Sequence, residues 1–394
     1  MSNSVRMLVV ALVAVALLLH GCAGGDRDEP SYESSETFPV PAGLEDAVTF
    51  WRNVYAKWSR SKVVIHDDRY LGLIYEVASL PGPIEESYTR TQKGYVRALK
   101  DQWSSRLRSL DRRVREGGSL SASDKELKQK IEMEGGPGAL FGASDRVRSQ
   151  RGVRERFRRG LEISGAYDAK FRDVFRRRGL PEDLAYLPHV ESSFQLNARS
   201  SVGASGMWQF IRSTGRQYMV VGSSVDERLD PVIAADAAAR YLDNSYRSLR
   251  YWPLALTSYN HGLGGMKRAQ AQYGNDISGV VASYDGRYFG FASRNFYAEF
   301  LAARHVARNA ETYFPEGVRY RPPLTDQPIV LRSSVTADDL SRHYRVSRSV
   351  LTSRNHAWLA PVRNGSRPVP AGTTVWLPKG TARLASGQPR PSMF

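Results

Sequence analysis

The stretch YLPHVESSFQLNARSSVGASGMWQF, from Tyr186 to Phe210, sets one carboxyl, Glu191, among hydroxyls, an Asn, an Arg, a run of small residues and then Met-Trp-Gln. It is too polar for plain core and too apolar for plain surface, the mixture expected of a cleft wall. Leu180, Leu184, Leu187 and Glu191 are spaced by four, three and four residues, so Glu191 points the way the leucines do. A carboxyl on an apolar helix face keeps its proton to higher pH, because burial disfavours the charged form, and can then act as a general acid near neutrality. Glycoside cleavage is the reaction that most often needs such a group, usually with a second carboxylate as base or nucleophile. No second acid lies close in sequence; Asp226, Glu227 and Asp230 are candidates by chain proximity alone.

Gln209 and the pair Tyr259-Asn260 form two further polar clusters at the ends of apolar helices beside Gly-rich turns. Each cluster also has a purely structural reading. Glu191 could cap the amides around Ser192 and Ser193, Gln209 could satisfy loop backbone, and Tyr259-Asn260 could be a helix C-terminal turn closed by Gly262. The three together favour a site. Other chemistries find little support. The seven His residues, among them His66, His189, His261 and His305, show no HExxH or other ligand spacing, and no metal or cofactor is expected. No G-x-S-x-G elbow prepares a nucleophilic Ser. GASG at Gly203 to Gly206 is not followed by the Gly-Lys-Ser of a phosphate loop.

Helices must position these residues. Tyr167, Phe171, Val174 and Phe175 line one helix face; Gly179 stops that helix and Leu180-Pro181 starts the next, which Pro188 kinks. Asp230-Pro231 caps VIAADAAARYLDNSYRSL, Pro253 opens a helix that breaks at Gly262, and a last apolar helix covers residues 295–307. No twofold alternation runs between Tyr167 and Arg308, so this part should be all α. Residues 43–165 read as a preceding helical region. Phe50, Trp51, Val54, Tyr55 and Trp58 recur at three and four residues, the pattern continues through 69–80 and 88–110, and a charged segment, 115–138, interrupts it. A Pro-rich linker at 313–327 leads to strand, two short helices and strand, a small βααβ unit over 328–380, and the tail over 381–394 should be disordered.

The chain of 394 residues is 41% hydrophobic, which places it among globular proteins with room for two or three domains. It opens with MSNSVRM and an apolar run, LVVALVAVALLLH, too short to span a bilayer comfortably, ending at Gly21-Cys22. This reads as an export signal over 1–22, followed by a polar tether over 23–42. Cys22 is the one cysteine, so an internal disulfide is excluded. The net charge of +16 is concentrated in RVRSQRGVRERFRR, Arg146 to Arg159. In an exported protein nucleic acid is not the partner. The run is either a solvated helix face or an attraction to an acidic polymer or anionic headgroup of the envelope.

Two resemblances follow from these residues. Leu-His-Gly-Cys resembles the bacterial lipoprotein signal, which implies lipidation of Cys22 and, with Ala23 next, a periplasm-facing protein lipid-anchored to the outer membrane; an ordinary signal peptide cut nearby, or an uncleaved anchor, is the alternative. Glu191-Ser192, Gly206-Met207-Trp208-Gln209 and Ser258-Tyr259-Asn260, in that order and with 18 residues from Glu191 to Gln209, resemble the lytic murein transglycosylases with the soluble-type catalytic domain, membrane-bound type D group.

The resemblance spans about residues 50–307 and implies a mainly α fold: a goose-type lysozyme-like catalytic domain over 166–312, preceded by the helical region. It implies cleavage of the MurNAc-GlcNAc β-1,4 bond of peptidoglycan glycan strands with formation of 1,6-anhydro ends. Glu191 would act as acid and then as base, Ser200 and Gln209 would hydrogen-bond near the sugar, and Met207 would pack on a ring. Tyr259 would orient Glu191, and Asn260 would support the site or touch sugar. Ala292-Ser293 stand where relatives often carry Glu-Thr. Leu340, Tyr344, Val346, Leu351, Asn355, Val369-Pro370-Ala371-Gly372 and Val375-Trp376-Leu377-Pro378 make the C-terminal unit similar to a LysM glycan-binding module, with the usual Gly-Asp-Thr opening degraded. A lysozyme-like muramidase and a noncatalytic wall-binding lipoprotein remain the alternatives. Partner enzymes of the cell wall are not indicated.

Overall fold

The computed structural model describes residues 35–381. The leader, Cys22 and the tail beyond Thr381 lie outside the described residues.

The first part of the chain is not purely helical. It runs α1 (Glu45–Ala56), β1 (Lys62–Asp67), β2 (Ile74–Ser79), α2 (Arg90–Arg115), α3 (Ala122–Gly135), β3 (Val147–Arg151) and α4 (Arg154–Ser164). The three strands form an antiparallel sheet in the order β2-β1-β3. KVVIHD is a short β-branched run buried along most of its length, and pairing on both edges satisfies its backbone. That pairing overrides the helix-like spacing of residues 69–80, so the expectation of helix there is corrected to a strand. The charged segment 115–138 is corrected in turn. Ser121 caps α3 by accepting from the Asp124 amide, and Leu127 and Ile131, one turn apart, bury against α2 and the sheet.

The arginine run is not a simple solvated helix face. It forms β3 and the start of α4, and its guanidinium groups are largely spent on carbonyls of other elements. Arg151 reaches the carbonyls of Arg60, Glu85 and Glu86, Arg154 those of Ala56 and Tyr313, and Arg158 that of Gly317. Arg146 pairs with the fully buried Asp67 at 2.9 Å. These contacts staple the run to neighbouring elements, while Arg148, Arg156 and Arg159 remain exposed.

The middle of the chain is helical as read: α5 (Asp168–Arg177), a 3₁₀ turn (Glu182–Tyr186), α6 (Leu187–Glu191), α7 (Arg212–Gly215), a 3₁₀ turn (Glu227–Leu229), α8 (Pro231–Leu249), α9 (Trp252–His261), α10 (Leu263–Tyr273), α11 (Ile277–Ser283), α12 (Phe291–Arg308) and α13 (Ala310–Tyr313). Asp230 Oδ1 accepts from the amides of Val232 and Ile233, both at 3.0 Å, and Pro231 occupies the first turn of α8; such a cap stabilises by about 1 kcal/mol. The alanines of α8 are buried and let α9 approach. The central element is α12, which packs on α1, α6 and α9. Trp51 of α1 donates its indole N–H to Asn295 of α12 at 3.0 Å, tying the N-terminal part to the same core.

The C-terminal unit comprises β4 (Gln327–Val330), α14 (Ala337–Tyr344), α15 (Arg348–Arg354), α16 (Ala360–Arg363) and β5 (Thr374–Leu377), with β4 and β5 antiparallel. It has one single-turn helix more than the sequence suggested. It is docked on the helical body: Val225 enters its apolar core, the Asp226 amide donates to Ala357 O at 2.8 Å, the Leu359 amide to Ser224 O at 3.0 Å, and the Trp376 indole to Asp230 Oδ2 at 2.5 Å.

Candidate active site

Glu191 is the last residue of α6, brought there by the apolar pattern that buries Leu184 and Leu187. The chain then turns sharply: Ser193 and Phe194 both adopt left-handed backbone, with φ of 52° and 58°. Such a conformation costs non-glycine residues about 1–2 kcal/mol each. Burial of Phe194 against His189, at 4.5 Å between ring centroids, and Phe171 offsets it. Gly160 of α4 makes room for this turn, since a Cβ there would sit 2.9 Å from Ser193 O.

The following loop supplies the opposite wall. Ser205 bridges to both Arg199 and Phe210, and Ser200 Oγ accepts from the Ala204 amide at 3.0 Å. Gly206 has φ 80° and lies so close to Arg228 O that a Cβ would be 1.8 Å away, so no side chain fits. Arg228, buried, donates to both carboxylate oxygens of Asp226 and to the carbonyls of Gly203 and Phe210. It clamps the loop from behind.

A cavity of about 530 Å³ opens between these walls and the end of α9. Glu191, Ser200, Gln209, Tyr259 and Asn260 all line it, with the exposed Val202 and Ile211 on its rim. Met207 does not. Its side chain is 1% exposed, and it belongs with Trp208 to the hydrophobic core, so the expected contact with a sugar ring is corrected to a packing role. Gln209 has φ 49° and donates its amide N–H to Gly206 O at 2.7 Å and Ala198 O at 3.3 Å. Its Nε2 is thus committed to the loop while Oε1 is the atom left for a ligand. Tyr259 donates its hydroxyl to Trp208 O at 2.9 Å and not to Glu191. Asn260 Oδ1 accepts from Ser293 Oγ at 2.8 Å, so the Ser that stands at the Glu-Thr position holds Asn260.

The three acids named by proximity are elsewhere. Asp226 is paired with Arg228, Glu227 accepts from the amides of Val220 and Thr374, and Asp230 caps α8. None lines the cavity. The acid that sequence reading missed is Glu299, in the middle of α12. Its signal was the same as that of Glu191, one carboxyl within an apolar helical run, NFYAEFLAA. Burial pushes the Glu191 carboxyl up to about 8, and the Glu299 charge adds to the rise. Burial likewise lifts Glu299 to about 8. The stacked neighbour His189 is pushed down to about 3 by burial and is neutral. A protonated carboxyl facing a cleft is able to give a proton to an ether oxygen.

A smaller cavity of about 280 Å³ lies in the crease between Tyr167 and the C-terminal Trp376. At its wall the Trp376 indole donates to Asp230, and Arg354 forms an ion pair with Asp326 at 3.0 Å.

Comparison with known proteins agrees with the place of the larger cavity. Residues 174–280 match the family described as Transglycosylase SLT domain. Membrane-bound lytic murein transglycosylase D of Escherichia coli (strain K12) is 30% identical over 154 residues, covering 39% of this chain and 32% of that protein. Membrane-bound lytic murein transglycosylase F of Shewanella pealeana is 32% identical over 148 residues, 33% of this chain and 30% of that protein. The chain thus spans about a third of the length of the curated relatives it matches. Among solved structures, the 70 kDa soluble lytic transglycosylase of Escherichia coli matches at 17% identity over 57% of this chain and 31% of its own, with a TM-score of 0.32. Every residue that lines the cavity falls within residues 174–280, the stretch that matches the transglycosylase SLT domain and that gives the chain its similarity to the lytic murein transglycosylases.

Proposed function

We propose that this chain is a peptidoglycan lytic transglycosylase that cleaves the MurNAc-GlcNAc β-1,4 bond and leaves 1,6-anhydro ends. The observation that carries the reading is that Glu191 is the sole acid among the residues lining the cavity. A hydrolase of the usual kind places two carboxyls on the scissile bond; a site with one suits a reaction whose nucleophile is already in the substrate. Glu191 protonates the departing glycosidic oxygen, the substrate's acetamido group stabilises the anomeric centre, and Glu191 then takes the proton of the 6-hydroxyl as it closes the ring. Intramolecular attack supplies the effective concentration that a protein nucleophile supplies elsewhere. In this reading Ser200, Asn260 and Oε1 of Gln209, which line the cavity, hold the sugar. The names of the relatives, membrane-bound and acting on murein, support a wall substrate and a membrane-associated place in the periplasm. Lipidation at Cys22 and glycan binding by the C-terminal LysM-like unit belong to the same proposal.

The test is mass spectrometry of fragments released from purified peptidoglycan. Fragments with 1,6-anhydro ends support the transglycosylase. Reducing ends, heavier by one water, make it a muramidase, and no release by folded protein leaves a wall-binding lipoprotein.

A further inference from the structure

Glu299 lies outside the lining of the cavity, on the helix α12 that packs against α6, whose last residue is Glu191. Asn295, Phe296 and Glu299 share one face of α12, being four and three residues from one another along the helix. Asn295 meets Trp51 of α1, and Phe296 stacks with Tyr259 of α9 at 6.5 Å between centroids and 12° between planes. Tyr55, one turn beyond Trp51 on α1, is buried, feels the charges of both Glu299 and Glu191, and stacks on Phe157, which in turn stacks on His189 of α6. Glu299 therefore faces the seam where α1, α9 and α12 meet, and Glu191 closes that seam from the end of α6, which also packs on α12.

Among the described residues no ion pair or hydrogen bond neutralises either carboxyl. Of the other titratable groups on the packed elements, Tyr55 and Tyr259 feel the Glu191 charge and His189 is neutral; Glu45, Asp46 and Arg52 of α1, His261 of α9, and Arg294, Tyr297, Arg304, His305 and Arg308 of α12 complete the set. The nearby cations are spoken for: Arg156 of α4 donates to Ser192 O, and Arg304 of α12 pairs with Asp183 of the preceding 3₁₀ turn at 2.5 Å.

We propose that Glu299 is a positioning residue for the general acid: it forms with Glu191 a carboxyl pair that retains a proton through the neutral range, and Glu191, the member facing the cavity, hands that proton to the sugar. Two carboxyls in one poorly solvated seam do not both ionise readily, so they titrate as a unit. In the reaction the proton passes from Glu191 to the glycosidic oxygen as the C1–O bond breaks, and returns to Glu191 from the 6-hydroxyl as the O6–C1 bond forms. Glu299 neither gains nor loses one. The inference rests on the reading of Glu191 as the acid.

The experiment is a carbon-13 NMR titration of the glutamate carboxyls in the full chain, run beside the pH profile of kcat/KM for peptidoglycan solubilisation. In Glu299→Gln the Glu191 midpoint is expected to fall by about one unit, a tenfold change in its ionisation ratio, and the alkaline limb of the profile to move down with it. A residue that merely packs would alter melting temperature or KM and leave the midpoint in place; an unmoved midpoint in a folded variant overturns the proposal. If Glu299→Gln does not fold, Glu191→Gln gives the reciprocal measurement, because the coupling is mutual: the Glu299 midpoint must fall there by a like amount, and its constancy overturns the proposal equally. Coupled titrations in a wild-type chain that releases no fragments would sink the functional reading while leaving the pair established.

Discussion

The Tyr259 hydroxyl donates to the carbonyl of Trp208 at 2.9 Å, and so braces the Gly206-to-Gln209 turn against α9. The hydroxyl thus holds the wall of the cavity, and burial and then the nearby Glu191 charge raise its pKa. Replacing Tyr259 by Phe keeps the ring stack and removes one hydrogen bond, a loss of about 1 kcal/mol in stability, with activity lowered a few-fold at most. Glu191→Gln, by contrast, removes the proton donor and should cut turnover by about 10² to 10⁴ while the melting temperature holds or rises. Fragment release and thermal unfolding of the two variants check this. Near-complete inactivation of folded Tyr259→Phe would mean that its hydroxyl serves Glu191 directly.

Stability should fall with rising pH across a defined window. Glu191 and Glu299 have folded values near 8 against an ordinary 4.5, so the folded chain holds protons that the unfolded chain has already released. Their favourable contribution is complete below the unfolded value and is lost as pH rises through the folded one. Calorimetry from pH 4.5 to 8 should show a declining melting temperature, and Glu191→Gln should flatten that decline. A wild-type curve that rises across the window would contradict the assignment.

Gly160 offers a way to disturb the acid without touching it. Gly160→Ala places a Cβ 2.9 Å from Ser193 O, in the turn that immediately follows Glu191. Overpacking of this kind costs about 1–3 kcal/mol. Activity is expected to drop further than stability predicts, because the displaced backbone carries the carboxyl proposed as the general acid. Turnover at a temperature where the variant is fully folded is the decisive reading.

Much of this molecule was legible because its signals are local. Asp230-Pro231, Gly262 and the four-three-four spacing up to Glu191 are read within one or two turns, and the structure places caps, breaks and the acid accordingly. What escaped depends on partners far away in sequence. Residues 69–80 carry helix-like spacing and become a strand because Val63, Val64 and Ile65 are there to pair with them. Met207 looked like a sugar contact by its place in the motif, and whether its side chain faces cleft or core is decided by the turn at Gly206 and the helices behind it. Glu299 was overlooked for the opposite reason. It is 108 residues from Glu191 in the chain, and only the packing of α6 on α12 brings the two together.

Removal of the C-terminal unit should damage the rest. A chain ending at Asp326 exposes Val225, strips Asp230 of the Trp376 indole and takes from Glu227 the amide of Thr374. Its melting temperature should fall by several degrees, as expected for about 1–3 kcal/mol or more, and the intact chain should unfold in one transition. Two separate transitions would show that the units are independent.

That docking bears on how such a chain can be recombined. Contacts run from Thr374 and Ala357 to Glu227 and Asp226, from Asp226 to Arg228, and from Arg228 to the carbonyls of Gly203 and Phe210 in the cleft wall. A Pro-rich joint in the sequence suggests a module to be cut out and exchanged. In three dimensions the cut would remove a buttress, so a working chimera must carry residues 220–230 and the C-terminal unit together, as one inherited block.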